Sequence, residues 1–127
     1  MSAPIPCGSR MKPPQMEEYM KLITEEIKRA LARNLKLPEA ERKPVFKLFT
    51  PWGSATWLIS EIDDTNMMFG LADLGFGSPE LGFIPLDELK EIRGPFGLGI
   101  ERDLHFTADK TLAEYADEAR AAGHIAA

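Results

Sequence analysis

Five consecutive residues, Glu101-Arg102-Asp103-Leu104-His105, come nearest to a chemical centre in this 127-residue chain. On an extended strand, alternation puts Glu101, Asp103 and His105 on one face and Arg102, Leu104 and Phe106 on the other. Two carboxylates and an imidazole so arrayed could hold a divalent metal or act as acid and base, the equipment of a small metal-dependent hydrolase. The spacing speaks against that use. No second His or Cys stands nearby, and the three positions match no recognised metal motif. The same residues form a structural polar cluster if Arg102 pairs a carboxylate and His105 bonds Asp103 or the backbone.

Other chemistries find less support. Ser54, Ser60 and Ser78 lack the Gly-x-Ser-x-Gly setting of an activated serine, and Cys7 lies in a Pro/Gly/Ser-rich leader as the only cysteine, which excludes an internal disulfide. The glycines build no phosphate cradle. Gly75-Phe76-Gly77-Ser78-Pro79-Glu80 has an acid where a dinucleotide fingerprint needs its third glycine, and Gly94-Pro95-Phe96-Gly97-Leu98-Gly99 has the wrong spacing. No cofactor is expected. Trp52, on a turn, either offers a large aromatic for recognition or folds back onto the sheet. His124 lies past the last expected helix and carries no role.

Charge is unevenly distributed. Residues 1–44 hold nine basic and six acidic side chains, whereas 45–127 hold six and fourteen, within an overall charge of −5. No Lys or Arg occurs between Lys47 and Lys90, a window containing Glu61, Asp63, Asp64, Asp73, Glu80, Asp87 and Glu88. Such a surface repels phosphate, so direct nucleic-acid binding is disfavoured and a protein partner with a basic surface is expected, met by Trp52, Asp63, Asp64, Asp73 and Glu80. No apolar run is long enough to span a bilayer and no secretory h-region opens the chain, so no membrane partner and a cytoplasmic location are expected.

The elements that must position these residues read as one α+β domain over 13–122, after a flexible leader (1–12) and before a frayed tail (123–127). Apolar residues at Met16, Tyr19, Met20, Ile23, Ile27, Ala30, Leu31 and Leu35 predict one long amphipathic helix over 14–35, opened by Pro13-Pro14. A connector at 37–44 leads to an antiparallel meander of four to five strands. Strands are expected at 45–49, 55–62, 67–71 and 81–84, with a short last one at 101–106. In the second, Trp57 and Ile59 share a face opposite Thr56, Leu58, Ser60 and Ile62. Asp73-Leu74-Gly75-Phe76 and Glu80-Leu81-Gly82-Phe83 flank a Gly-Ser-Pro turn, and the second copy carries the structural weight. A short helix over 85–92 with a stop at Gly94, and a C-terminal helix opened by the capping box Thr111-Leu112-Ala113-Glu114, complete the fold.

Taken in order, Phe49-Thr50-Pro51, Gly53-Ser54, Thr56-Trp57, Phe69-Gly70-Leu71, Glu80-Leu81-Gly82-Phe83, Leu86, Glu88-Leu89, Arg93-Gly94-Pro95, Gly97-Leu98 and 100–106 resemble the domain of unknown function 2958 family from about Lys47 to Tyr115. The resemblance implies cargo of plasmids, conjugative elements and phages, often near anti-restriction or DNA-transfer genes. It implies no particular activity, substrate or cofactor. The helix before Lys47 stands as an addition of this member. The combined reading is a non-enzymatic interaction module of a bacterial mobile element that binds a host or element-encoded protein through an acidic surface, with the metal-dependent hydrolase as its rival.

Overall fold

In the computed structural model, which describes residues 22–127, five antiparallel strands form one sheet with helices on both faces. The strands are β1 (Phe46–Phe49), β2 (Thr56–Ile62), β3 (Met67–Asp73), β4 (Glu80–Pro85) and β5 (Glu101–Arg102), and their spatial order is β4-β3-β2-β1-β5. The first four follow one another as the expected meander. The fifth returns to the free edge of β1, pairing Glu101 with Phe49 and Arg102 with Leu48.

Among the described residues, three α-helices cover this sheet: α1 (Glu25–Asn34), α2 (Leu86–Glu91) and α3 (Leu112–Ala122). The N-terminal end of α1 is set by Thr24, whose extended backbone lies outside the helix while its hydroxyl accepts the Ile27 amide at 3.2 Å. The helix expected over 14–35 therefore does not run through Leu22–Thr24 in one piece. Its first residues, with the 1–12 leader and Cys7, lie outside the described residues. α2 stops at Ile92, earlier than the glycine that was expected to end it. α3 has the full capping box at Thr111 and closes on left-handed Gly123 (φ 82°).

Period-two alternation divides the apolar residues between two cores. Leu31, Phe46, Leu48, Trp57, Ile59 and Met68 are among those that pack beneath α1 and α2. On the opposite face, Leu58 and Leu71 meet Leu112, Tyr115, Ala116 and Ala119 of α3. At roughly 1.5–3 kcal/mol per fully buried large apolar side chain, both faces contribute to holding the sheet.

The alternation changes phase inside β2. Ile59 pairs with Gly70 and Glu61 with Phe69, which leaves Ser60 as the extra residue of a bulge. Ile62 consequently packs with Trp57 and Ile59, not on the Leu58 face where uninterrupted alternation placed it. The bulge is held from outside the sheet. The buried Asn34 amide, at the end of α1, donates to Ser60 O at 2.9 Å and to Lys43 O at 2.8 Å. Gly70 opposes the bulge, where a Cβ would stand 2.1 Å from Leu58 O. Only glycine lets β3 approach β2 this closely.

The residues after α3 make contacts back to the sheet. The Ile125 amide donates to Asp73 Oδ2 at 2.9 Å, and Lys47 Nζ donates to Ala127 O. This draws the segment back across the sheet, with Ile125 against the Leu58–Leu71 core.

Candidate functional site

The Glu101–His105 stretch does not assemble the expected face. β5 ends at Arg102; the Asp103 amide still donates to Lys47 O at 2.9 Å, and the chain then turns as the Asp103 carboxylate accepts the His105 amide at 2.9 Å. An aspartate that bonds the backbone two residues on builds a turn of this kind and stops strand alternation. Glu101 and His105 are exposed, and Lys47 Nζ lies 3.6 Å from Asp103 Oδ2. Arg102 donates to Leu22 O at 3.1 Å. Among the described residues, no group of three or more His, Cys, Asp or Glu side chains is arranged to hold a metal ion.

The five residues expected to meet a partner separate into three places. Asp63 and Asp64 belong to the β2–β3 turn at one end of the sheet, while Trp52 and Glu80 lie at the other, beside the end of β1 and the start of β4. Asp73 is 3 % exposed. Its carboxylate accepts the Gly75 amide at 2.9 Å as well as that of Ile125, so it anchors two chain segments and presents no charge to a partner.

The Asp63 turn is complete in itself. Asp63 Oδ1 accepts the Thr65 amide at 2.8 Å, the Thr65 hydroxyl at 2.7 Å and the Met67 amide at 3.0 Å. The Thr65 hydroxyl bond, then those from the Met67 and Thr65 amides, hold the Asp63 carboxyl below its ordinary range.

The opposite end is built differently, from three glycine-bearing loops. The 51–54 turn connects β1 to β2, the 74–79 loop connects β3 to β4, and the 93–99 loop leads into β5. Trp52 folds back: a Cβ on Gly94 would lie 2.2 Å from its indole, so the ring rests directly on that backbone. It is half-buried and packs against the α1–α2 core. Ser54 similarly occupies the space beside left-handed Gly75 (φ 89°), joining the first two loops.

What these loops turn outward is apolar. Leu74 and Leu98 are exposed, Phe76 is 85 % exposed, and Phe96 is fully exposed. Phe96 also has φ 59° and ψ 23°, a left-handed conformation costly for a bulky side chain. The surrounding loop enforces it, through Gly94 N to Leu98 O at 2.7 Å and an antiparallel bridge between Arg93 and Gly99. Exposed Glu80 and Glu101 flank this end, while the Arg93 guanidinium turns back onto the carbonyls of Lys90 and Ile92 at 2.6 and 2.8 Å. Neither Phe76 nor Phe96 stands among the binding residues expected from the sequence. The available signal was their setting, Gly-Phe-Gly and Pro-Phe-Gly, where an aromatic on so short a turn has little chance of reaching a core.

The architecture is that of an α+β domain: a five-stranded antiparallel sheet between helical layers, with its three glycine-bearing loops gathered at one end. The chain belongs to the family described as Protein of unknown function (DUF2958), whose model matches residues 22–126. That span includes α1, so the helix before Lys47 is family structure and not an addition of this member. No curated protein and no solved structure matches the chain. Among the described residues, no helix is long and apolar enough to cross a membrane.

Proposed function

We propose that this protein is a non-enzymatic interaction module that docks a protein partner through the loop end of its sheet. The observation that carries this reading is Phe96, a fully exposed aromatic held in a left-handed conformation. Water does not reward that exposure and the backbone disfavours it; an apolar pocket on a partner would reward both. Phe76, Leu74 and Leu98 enlarge the apolar centre, and Glu80 and Glu101 supply an acidic rim. The partner chemistry that suits this surface is an apolar pocket bordered by basic groups, on a host or element-encoded protein. The mobile-element setting implied by the family resemblance supplies both classes.

Affinity capture from a bacterial lysate tests the reading, with wild-type bait run beside a Phe76→Ser/Phe96→Gly double variant and a Glu80→Lys/Glu101→Lys double variant. Proteins retained by wild type should be lost with the aromatic variant and weakened with the charge variant. Retention of the same proteins by the aromatic variant overturns the loop-end assignment.

A further inference from the structure

A second surface lies along the side of the molecule, where the last turn of α1 faces the 106–108 segment across an open groove of about 810 Å³. Its floor joins apolar Ala30, Val45 and Phe106 to polar Asn34 and Thr107. Its rim carries Arg33, Lys36 and Lys43, and among the described residues no acid lines it. This departs sharply from a chain whose overall charge is −5. All three cationic residues are exposed, and none of them forms an ion pair among the described residues.

The end of α1 accounts for one of them at most: Arg33 lies in its last turn, where a cation offsets the helix dipole. Lys36 follows the helix, and Arg42, which donates from Nε to Leu37 O at 3.0 Å, is paired with Glu61. Lys43 stands beyond the helix. Its charge reaches Glu114, whose carboxyl is held low first by the Thr111 amide and hydroxyl, with Lys43 the smallest contributor.

We infer that this groove is a docking site for an acidic peptide segment of a partner protein, with carboxylates on Arg33, Lys36 and Lys43 and apolar side chains on the Val45–Phe106 floor. Charge complementarity selects the occupant. A lone inorganic anion gains little from three solvated cations on long side chains. A peptide joins several carboxylates to apolar groups and uses both parts of the groove. A nucleic acid would bring an extended row of phosphates toward a strongly acidic body. This surface is separate from the loop end, so either site can fail without the other.

The test is fluorescence anisotropy with the full chain and three labelled probes: a short peptide of alternating glutamate and leucine, its lysine–leucine counterpart, and a single-stranded oligonucleotide of equal charge. The expected result is saturable binding of the glutamate peptide alone, weakened by salt. The Arg33→Glu/Lys36→Glu/Lys43→Glu variant should weaken it about tenfold or more, equivalent to about 1.4 kcal/mol. An Arg33→Gln/Lys36→Gln/Lys43→Gln variant, which spares the helix end new negative charge, should lose less. Circular dichroism verifies that each variant is folded. No binding of the glutamate peptide, binding unchanged in both variants, or tighter binding of the oligonucleotide overturns the inference.

Discussion

The two ends of the sheet are made from the same chain and have opposite characters. At the β2–β3 end, Asp63 is acidic and exposed, yet its carboxylate is taken up by three bonds within four residues. At the loop end, apolar side chains face water and Phe96 holds a conformation that few residues of its size adopt. Each end contains a non-glycine residue with positive φ: Asn66 at 65° and Phe96 at 59°. Asn66 belongs to a residue type that visits the left-handed region routinely, and phenylalanine does not. On the proposed loop-end reading, charge is the weaker guide to that surface. A carboxylate can be absorbed by its own turn, whereas an exposed strained aromatic has no such internal use.

The largest perturbation should strike the scaffold between the two ends. Gly70→Ala places a Cβ against Leu58 O and separates β3 from β2, costing about 3 kcal/mol in chemical denaturation. A loss below 1 kcal/mol would mean that the strands part easily and that the ends are not rigidly related. Next is Asp73→Ala, which strips two amides of their acceptor and should cost about 2 kcal/mol. Its specific signature is faster hydrogen exchange at Gly75 and Ile125, with the Asp63 turn unaffected.

The paired positive-φ residues give a direct comparison of the ends. Phe96→Gly should stabilise the fold by about 0.5–1 kcal/mol as the strain is relieved, read as a higher melting temperature. Asn66→Gly should change stability by less than about 0.5 kcal/mol. Equal gains at both sites would remove the distinction on which the loop-end reading rests. The smallest effect concerns Asp63, whose folded carboxyl titrates below the ordinary 3.8. Its contribution to stability is complete above that value and is lost as pH falls through the lower folded one. Asp63→Asn should therefore flatten the acid limb of melting temperature against pH and leave the neutral region nearly parallel to wild type.

What the sequence disclosed follows the range of the interactions involved. The Thr111–Glu114 capping box was legible because its bonds close within three residues, and the hairpins were legible from short turns and alternation. Asn34 and Asp73 were not, since their partners Ser60 and Ile125 are 26 and 52 positions away and neither side chain differs in type from a surface residue. The Glu101–His105 face failed for a local reason: Asp103 accepts an amide two residues on and ends the strand that alternation required. The acidic window is plain in the residue types, but whether its members share one surface depends on which sheet end each turn occupies.

The Ser60 bulge has a consequence for how this chain can change in length. Because Ser60 is supernumerary to the β2–β3 ladder, removing it would leave Glu61 and Ile62 on the faces they already occupy, at the expense of the Asn34 contact. Removing Leu58 instead would reverse the parity of one side of the strand and set Trp57 against the wrong helical layer. Position 60 is thus a place in the core strand where a single-residue deletion keeps both faces in phase.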